Sequence, residues 1–142
     1  MPYNEVPLEE LLGKTLVKAE KVKARAGRDI ATGDDNYADE IVFITNLGVE
    51  YRLFHDQDCC EGVSVEDIVG NLADLVGAPI LMAECVTHEN VNPEDAPRKG
   101  EDSFTWTFYK FATIKGYVTI RWYGESNGYY SEEVTFARME AA

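Results

Sequence analysis

Cysteine and histidine are scarce: three and two in 142 residues, with two of the cysteines adjacent. That excludes the disulfide framework of a small secreted domain, so reduced thiols in a cytoplasmic protein are expected. Long apolar runs are also missing, and no segment approaches the ~20 residues of a transmembrane helix. The first residues, Met1-Pro2-Tyr3-Asn4-Glu5, carry neither the basic segment nor the apolar core of a signal peptide. Positive charge is sparse, with 13 bases against 26 acids and a net charge of -13. Sequence-independent nucleic-acid binding needs a basic footprint, so direct nucleic-acid binding is excluded. Docking on an anionic membrane is disfavoured for the same reason. No internal repeat or low-complexity tract is present, and nothing names a reaction.

The rest of the composition is that of a globular protein, with 45% hydrophobic and 11% aromatic residues. The length predicts a single domain over residues 1–142. Charge is unevenly spread. Residues 1–28 hold six bases and four acids, residues 29–105 hold three bases and eighteen acids, and residues 106–142 hold four of each. The middle of the chain therefore carries the whole acidic excess. It reads as a solvated, self-repelling surface or as a surface steered toward a basic partner.

The pattern along the chain predicts an α+β fold: a mostly antiparallel sheet with a few short helices. Pro7 to Leu12 reads as a short helix stopped at Gly13, and Thr15 to Ala26 as a strand. Residues 27–38 form a loop. Ile41–Thr45 and Val49–His55 make a hairpin around Asn46-Leu47-Gly48. Ser64-Val65-Glu66-Asp67 opens a second short helix by its capping pattern. Leu72 to Val76 is a further helical turn, and Ile80 to Val91 a strand. An acidic loop spans 92–102. Ser103–Ala112, Tyr117–Tyr123 and Glu132–Arg138 complete the chain as a meander, turning at Lys115-Gly116 and Ser126-Asn127-Gly128.

Alternation assigns faces to that meander. Phe104, Trp106 and Phe108 are expected to face the core, with Val118, Ile120 and Trp122 beside them. Thr105, Thr107 and Tyr109, with Tyr117, Thr119, Arg121 and Tyr123, would form the opposite face. That face is either the solvated side of an antiparallel sheet or a ligand platform. In the second case Arg121, Tyr109, Tyr123, Thr107 and Thr119 are the candidate ligand-binding residues. The rings would stack on a base and Arg121 would pair with a phosphate or carboxylate.

The densest motif is His55-Asp56-Gln57-Asp58-Cys59-Cys60-Glu61. It supports four readings. His55 and Cys59 with the distant Cys85 and His88 supply a zinc-type ligand set. However, the usual C-x₂₋₄-C spacing is absent, and Cys85 and His88 fall on opposite faces of a strand. Cys59 or Cys60 activated by His55 would be a nucleophile, although the flanking acids oppose thiolate formation. A vicinal disulfide switch is the third reading. In the fourth, Gln57 or Asp58 bonds turn amides and His55 bridges a carboxylate to a backbone carbonyl, so that the motif fixes a tight polar turn. No cofactor is expected beyond the zinc alternative.

The H-x-Q-D-C-C-E core, Val65-Glu66-Asp67-Ile68, and Leu72-x-Asp74-Leu75-x-Gly77-x-Pro79-Ile80 together resemble a family of small proteins of unknown function from bacteriophages and prophages. Thr105 to Thr113 and Arg121-Trp122-Tyr123-Gly124 extend that resemblance. It implies a phage-encoded protein acting in the host cytoplasm. The expected function is non-enzymatic binding that antagonises host defence, by sequestering a small nucleotide-type immune signal or by occupying a host protein. One alternative is an acidic nucleic-acid mimic that inhibits a host nuclease complex. Another is a metal- or thiol-dependent enzyme built on His55–Glu61, and a virion accessory is a third. An exposed strand edge would allow a homo-oligomer.

Overall fold

A computed structural model describes residues 2–28, 31–58, 60–91 and 103–140. The described chain forms nine strands: β1 (Tyr3–Glu5), β2 (Leu16–Arg28), β3 (Asp35–Thr45), β4 (Glu50–Phe54), β5 (Gly62–Val69), β6 (Met82–Glu89), β7 (Ser103–Thr113), β8 (Gly116–Ser126) and β9 (Thr135–Met139). They make two antiparallel sheets, one ordered β1-β9-β4-β3-β2 and one ordered β5-β8-β7-β6. The two share one core. Ile41, Phe43, Tyr51, Leu53 and Phe136 come from the first sheet, and Phe111, Val118, Ile120 and Trp122 from the second. Each such side chain, fully buried, contributes roughly 1.5–3 kcal/mol. Two sheets facing each other across an apolar layer constitute a β-sandwich.

The α+β expectation is therefore corrected: among the described residues the fold is all-β. The only helical pieces are two four-residue 3₁₀ turns, Leu8–Leu11 and Leu72–Leu75. Leu11 and Leu75 are fully buried and plug the core beside the sheets. Asn71 caps the second turn by accepting from the Ala73 amide at 3.0 Å.

Ser64–Asp67, expected to open a helix, lies inside strand β5. A short helix gains little from a capping pattern alone. Val63, Val65 and Ile68 gain more by pairing along β8 and packing on the core. The loop expected over 27–38 is shorter, because β2 runs to Arg28 and β3 begins at Asp35. The acidic loop at 92–102 lies outside the described residues.

The C-terminal meander is corrected too. β7 and β8 form the expected hairpin, closed at Gly116. β9 instead leaves that sheet and pairs with β4 and β1 in the other. The chain thus changes sheets twice, from β4 to β5 through residues 55–61 and from β8 to β9 through residues 127–134. Both crossovers shape the site described next.

Candidate functional site

Cross-strand partners share a face, and the register of β6, β7 and β8 settles which residues do. Phe108 pairs with Arg121 and Val86, Trp106 with Tyr123 and His88, and Lys110 with Thr119. These residues lie on the outer face. Tyr109 pairs with Ile120, Thr107 with Trp122 and Phe111 with Val118, and all of these face the other sheet. The faces expected for β7 are therefore reversed. Phe104, Trp106 and Phe108 lie away from the inter-sheet core, and Thr105, Thr107 and Tyr109 lie toward it. The expected five-residue platform is split: Thr119, Arg121 and Tyr123 are outside, Thr107 and Tyr109 inside.

On the outer face Arg121 lies over the Trp106 ring, 5.6 Å from its centroid. Tyr123 also packs on Trp106, at 4.7 Å between centroids. The Arg121 side chain is only 13% exposed, and its nearest carboxylate is that of Asp67, 3.7 Å away and half exposed. Its Nε is buried with no hydrogen-bond partner among the described residues. A pocket of about 370 Å³ opens beside it, lined by Arg121, Lys110, His88, Phe108, Thr119 and two valines, Val69 and Val86. His88 meets Phe108 edge-on at 5.7 Å. The sequence pattern assigns Phe108 to the core and His88 to a zinc-type set, and gives Lys110 no role; all three line this pocket instead. Lys110, the single charged residue within β7, shares its face with Phe108 and marks that side as the wet one.

On the inner face a larger cleft of about 710 Å³ separates β6 and β7 from the β8–β9 crossover. Thr107 and Tyr109 belong to its wall, and Tyr109 donates to the Val134 carbonyl at 3.2 Å. Burial raises the Tyr109 pKa, and the neighbouring Cys85 adds to the effect. The crossover contributes the buried Glu132, whose carboxylate accepts from Thr105 Oγ1 at 2.7 Å and Ser126 Oγ at 2.5 Å. Gly124 makes this possible. A Cβ there would stand 2.9 Å from Glu132 Cβ and 3.0 Å from its carbonyl oxygen, closer than such atoms pack.

The His55–Glu61 run is the other crossover. His55 Nδ1 lies 2.7 Å from the Glu133 carbonyl and Nε2 lies 2.7 Å from Glu61 Oε2. A carbonyl only accepts, so Nδ1 donates, and one further proton sits between Nε2 and the Glu61 carboxyl. The Asp58 amide donates to the same Glu61 oxygen at 2.8 Å, and Gln57 Nε2 donates to the Glu61 carbonyl at 2.7 Å. His55 and Glu61 are both buried. The motif is thus a clasp that ties one inter-sheet crossover to the other.

The domain belongs to the family of domain of unknown function DUF7448. That family's pattern matches residues 9–136. No curated protein and no solved structure matches the chain.

In this DUF7448 domain the zinc candidates are not brought together. His55 is engaged in the clasp, Cys85 pairs across from Tyr109 on the inner face, and His88 lies on the outer face. Cys59 lies outside the described residues. Among the described residues no three His, Cys, Asp or Glu side chains are grouped to hold an ion. Cys60 is disulfide-bonded, which corrects the expectation of reduced thiols at that position, and Cys85 is a free thiol. Cys85 is exposed at the strand edge, yet its sulfur lies against Tyr109 and Thr87. The lost hydration there raises its pKa, and those two hydrogen bonds only partly offset it. A raised thiol is the opposite of an activated nucleophile. No helix among the described residues is long and apolar enough to cross a membrane.

Proposed function

We propose that this DUF7448 domain is a non-enzymatic binding protein that holds a small anionic ligand of nucleotide type in the outer pocket at Arg121. The observation that carries the reading is Arg121 itself, a nearly buried guanidinium with an unpartnered Nε at the wall of a pocket. Leaving a buried donor unpaired costs about 1–3 kcal/mol, and an anion entering the pocket meets the guanidinium that carries it. The weak, half-exposed Asp67 competes poorly. Lys110 and His88 add two more groups that favour an anion, in a chain whose net charge is -13. Phe108 and the two valines offer the apolar surface that a ring needs. The phage origin and the antagonism of host defence belong to this proposal as well, supported by the resemblance of the H-x-Q-D-C-C-E run and its companions to phage proteins.

The test is equilibrium titration of the full chain with AMP, ADP-ribose, cyclic di-AMP and inorganic phosphate. At least one nucleotide is expected to bind saturably, and Arg121→Ala to weaken it about tenfold or more. If none binds, or if Arg121→Ala binds equally well, the reading fails. The acidic excess supports capture of a basic host protein as a second mode. Its signature is binding that weakens steeply with salt and ignores Arg121→Ala.

A further inference from the structure

We propose a second site in the inner cleft, for a sugar-type polyhydroxyl ligand, with an amino sugar preferred over an acidic one. This inference is independent of the Arg121 pocket and rests on other residues. The cleft, about 710 Å³, falls within the usual range for small-molecule sites. Residues bearing hydroxyl or carboxyl groups outnumber the apolar ones in its lining, which also holds Val6, Leu8, Val134 and Phe136. Hydroxyls come from the two sheet strands (Thr87, Thr105 and Thr107) and from the crossover (Ser131). A sugar presents adjacent hydroxyls that both donate and accept, and such a lining answers them in kind.

Glu132 is the fixed element. Its two oxygens already accept hydrogen bonds from Thr105 and Ser126, so it stands as an oriented acceptor with lone pairs to spare. Gly124 beneath it lets the crossover lie close enough to hold that position. Tyr130, also in the lining, supplies an aromatic ring of the kind sugars pack against. Glu5, Glu89 and Glu133 stand exposed at the rim. These three carboxylates disfavour an anionic ligand and attract a protonated amine on the sugar. A bare cation is a poorer fit, because the oxygens of Glu132 already face hydroxyl donors.

The test is calorimetric titration of the full chain with a β-1,4-linked glucosamine disaccharide, its N-acetylated form, glucuronic acid and magnesium chloride. The glucosamine disaccharide is expected to bind saturably, and glucuronic acid to bind at least about tenfold more weakly. Glu133→Gln, an exposed and isosteric change, should weaken the disaccharide several-fold. Thr107→Val, on the cleft wall, should weaken it about tenfold, while Arg121→Ala leaves it unchanged. No saturation by either disaccharide up to roughly 10 mM overturns the proposal. So does glucuronic acid binding as tightly as glucosamine, or magnesium binding that is lost in Glu133→Gln while the sugars do nothing.

Discussion

The two faces of the β5-β8-β7-β6 sheet are built from the same strands and have opposite characters. The outer face presents Arg121, Lys110 and His88 around aromatic rings. The inner face presents Phe111, Val118 and Ile120 to the core, then Thr107, Thr105 and the carboxylate of Glu132 toward the cleft. Residues one position apart along β7 thus serve environments of opposite charge. A net charge of -13 describes neither face. What matters locally is which residue of each cross-strand pair points outward, and a single-residue slip would exchange the two sites.

Within β7 the two faces differ most in what a truncation costs. Phe111 is fully buried between the sheets and stacks edge-on with Phe43 at 5.3 Å. Phe111→Ala should cost about 3–5 kcal/mol. Phe108, three residues away on the half-buried outer face, should cost only about 1 kcal/mol when changed to Ala. Urea denaturation of both variants checks this. Similar losses for the two would mean that the outer face is a core of its own.

The clasp belongs to the inner side, because His55 holds the Glu133 carbonyl of the crossover that lines the cleft. His55→Ala removes the imidazole from the buried Glu61 carboxyl, which keeps the Asp58 amide, and takes the Nδ1 donor from the Glu133 carbonyl. Breaking a buried pair from one side costs about 3–5 kcal/mol. Thermal unfolding should show a midpoint roughly 10 °C lower. His55→Ala protein that is still folded should lose the glucosamine disaccharide, whose cleft wall is the tethered crossover, before it loses nucleotide at Arg121.

These contrasts explain what was legible in the sequence. The β7–β8 hairpin and the faces of β8 were, because Val118, Ile120 and Trp122 alternate cleanly with polar residues. The faces of β7 were not, because both carry aromatics. Thr107 and Tyr109 look polar, yet they are buried against the crossover. Within the motif, the bonds from Gln57 and His55 to Glu61 span at most six residues and follow from local turn chemistry. The partner on the other side, Glu133, lies 78 residues away, and no local pattern points to it. The same distance problem hid β9. Ser126-Asn127-Gly128 has the composition of a hairpin turn, but the pairing of β9 with β4 is decided by core packing of Phe136 and by the clasp. β5 is obscured in the sequence by a capping pattern that competes with its β-branched residues.

A smaller effect lies where β3 of one sheet is fastened to β5, the edge strand of the other. Asp39 of β3 is buried, takes Lys23 Nζ at 2.6 Å and accepts from the Val65 amide of β5 at 2.8 Å. Burial alone would raise its pKa. The Lys23 and Val65 hydrogen bonds and the Lys21 charge outweigh burial and hold it below the ordinary carboxylate range. A carboxylate with a depressed folded pKa adds stability that is complete above its unfolded pKa and is lost as pH falls through the folded value. Asp39→Asn should therefore cost about 1 kcal/mol at neutral pH. The difference from wild type should shrink as pH falls from neutral through the folded pKa, below the ordinary carboxylate range. Denaturation across that pH range decides it, and a constant gap would show that Asp39 acts by shape rather than by charge.

The smallest expected change in stability is at the residue with the largest expected role in binding. Arg121 is nearly buried, its Nε is unpartnered among the described residues, and its ion pair with Asp67 is long and half exposed. Little favourable electrostatics is therefore lost when it goes. Arg121→Met keeps much of the stem that covers Trp106 and removes a guanidinium whose desolvation is uncompensated. Replacing a buried charge by an apolar side chain of similar volume is often neutral or stabilising. Arg121→Met should thus shift stability by less than about 1 kcal/mol in either direction, while abolishing nucleotide binding in the titration above. A loss above about 2 kcal/mol would mean that the guanidinium is a structural lid on Trp106. The outer face would then be a second packed layer, with no site preformed for an anion.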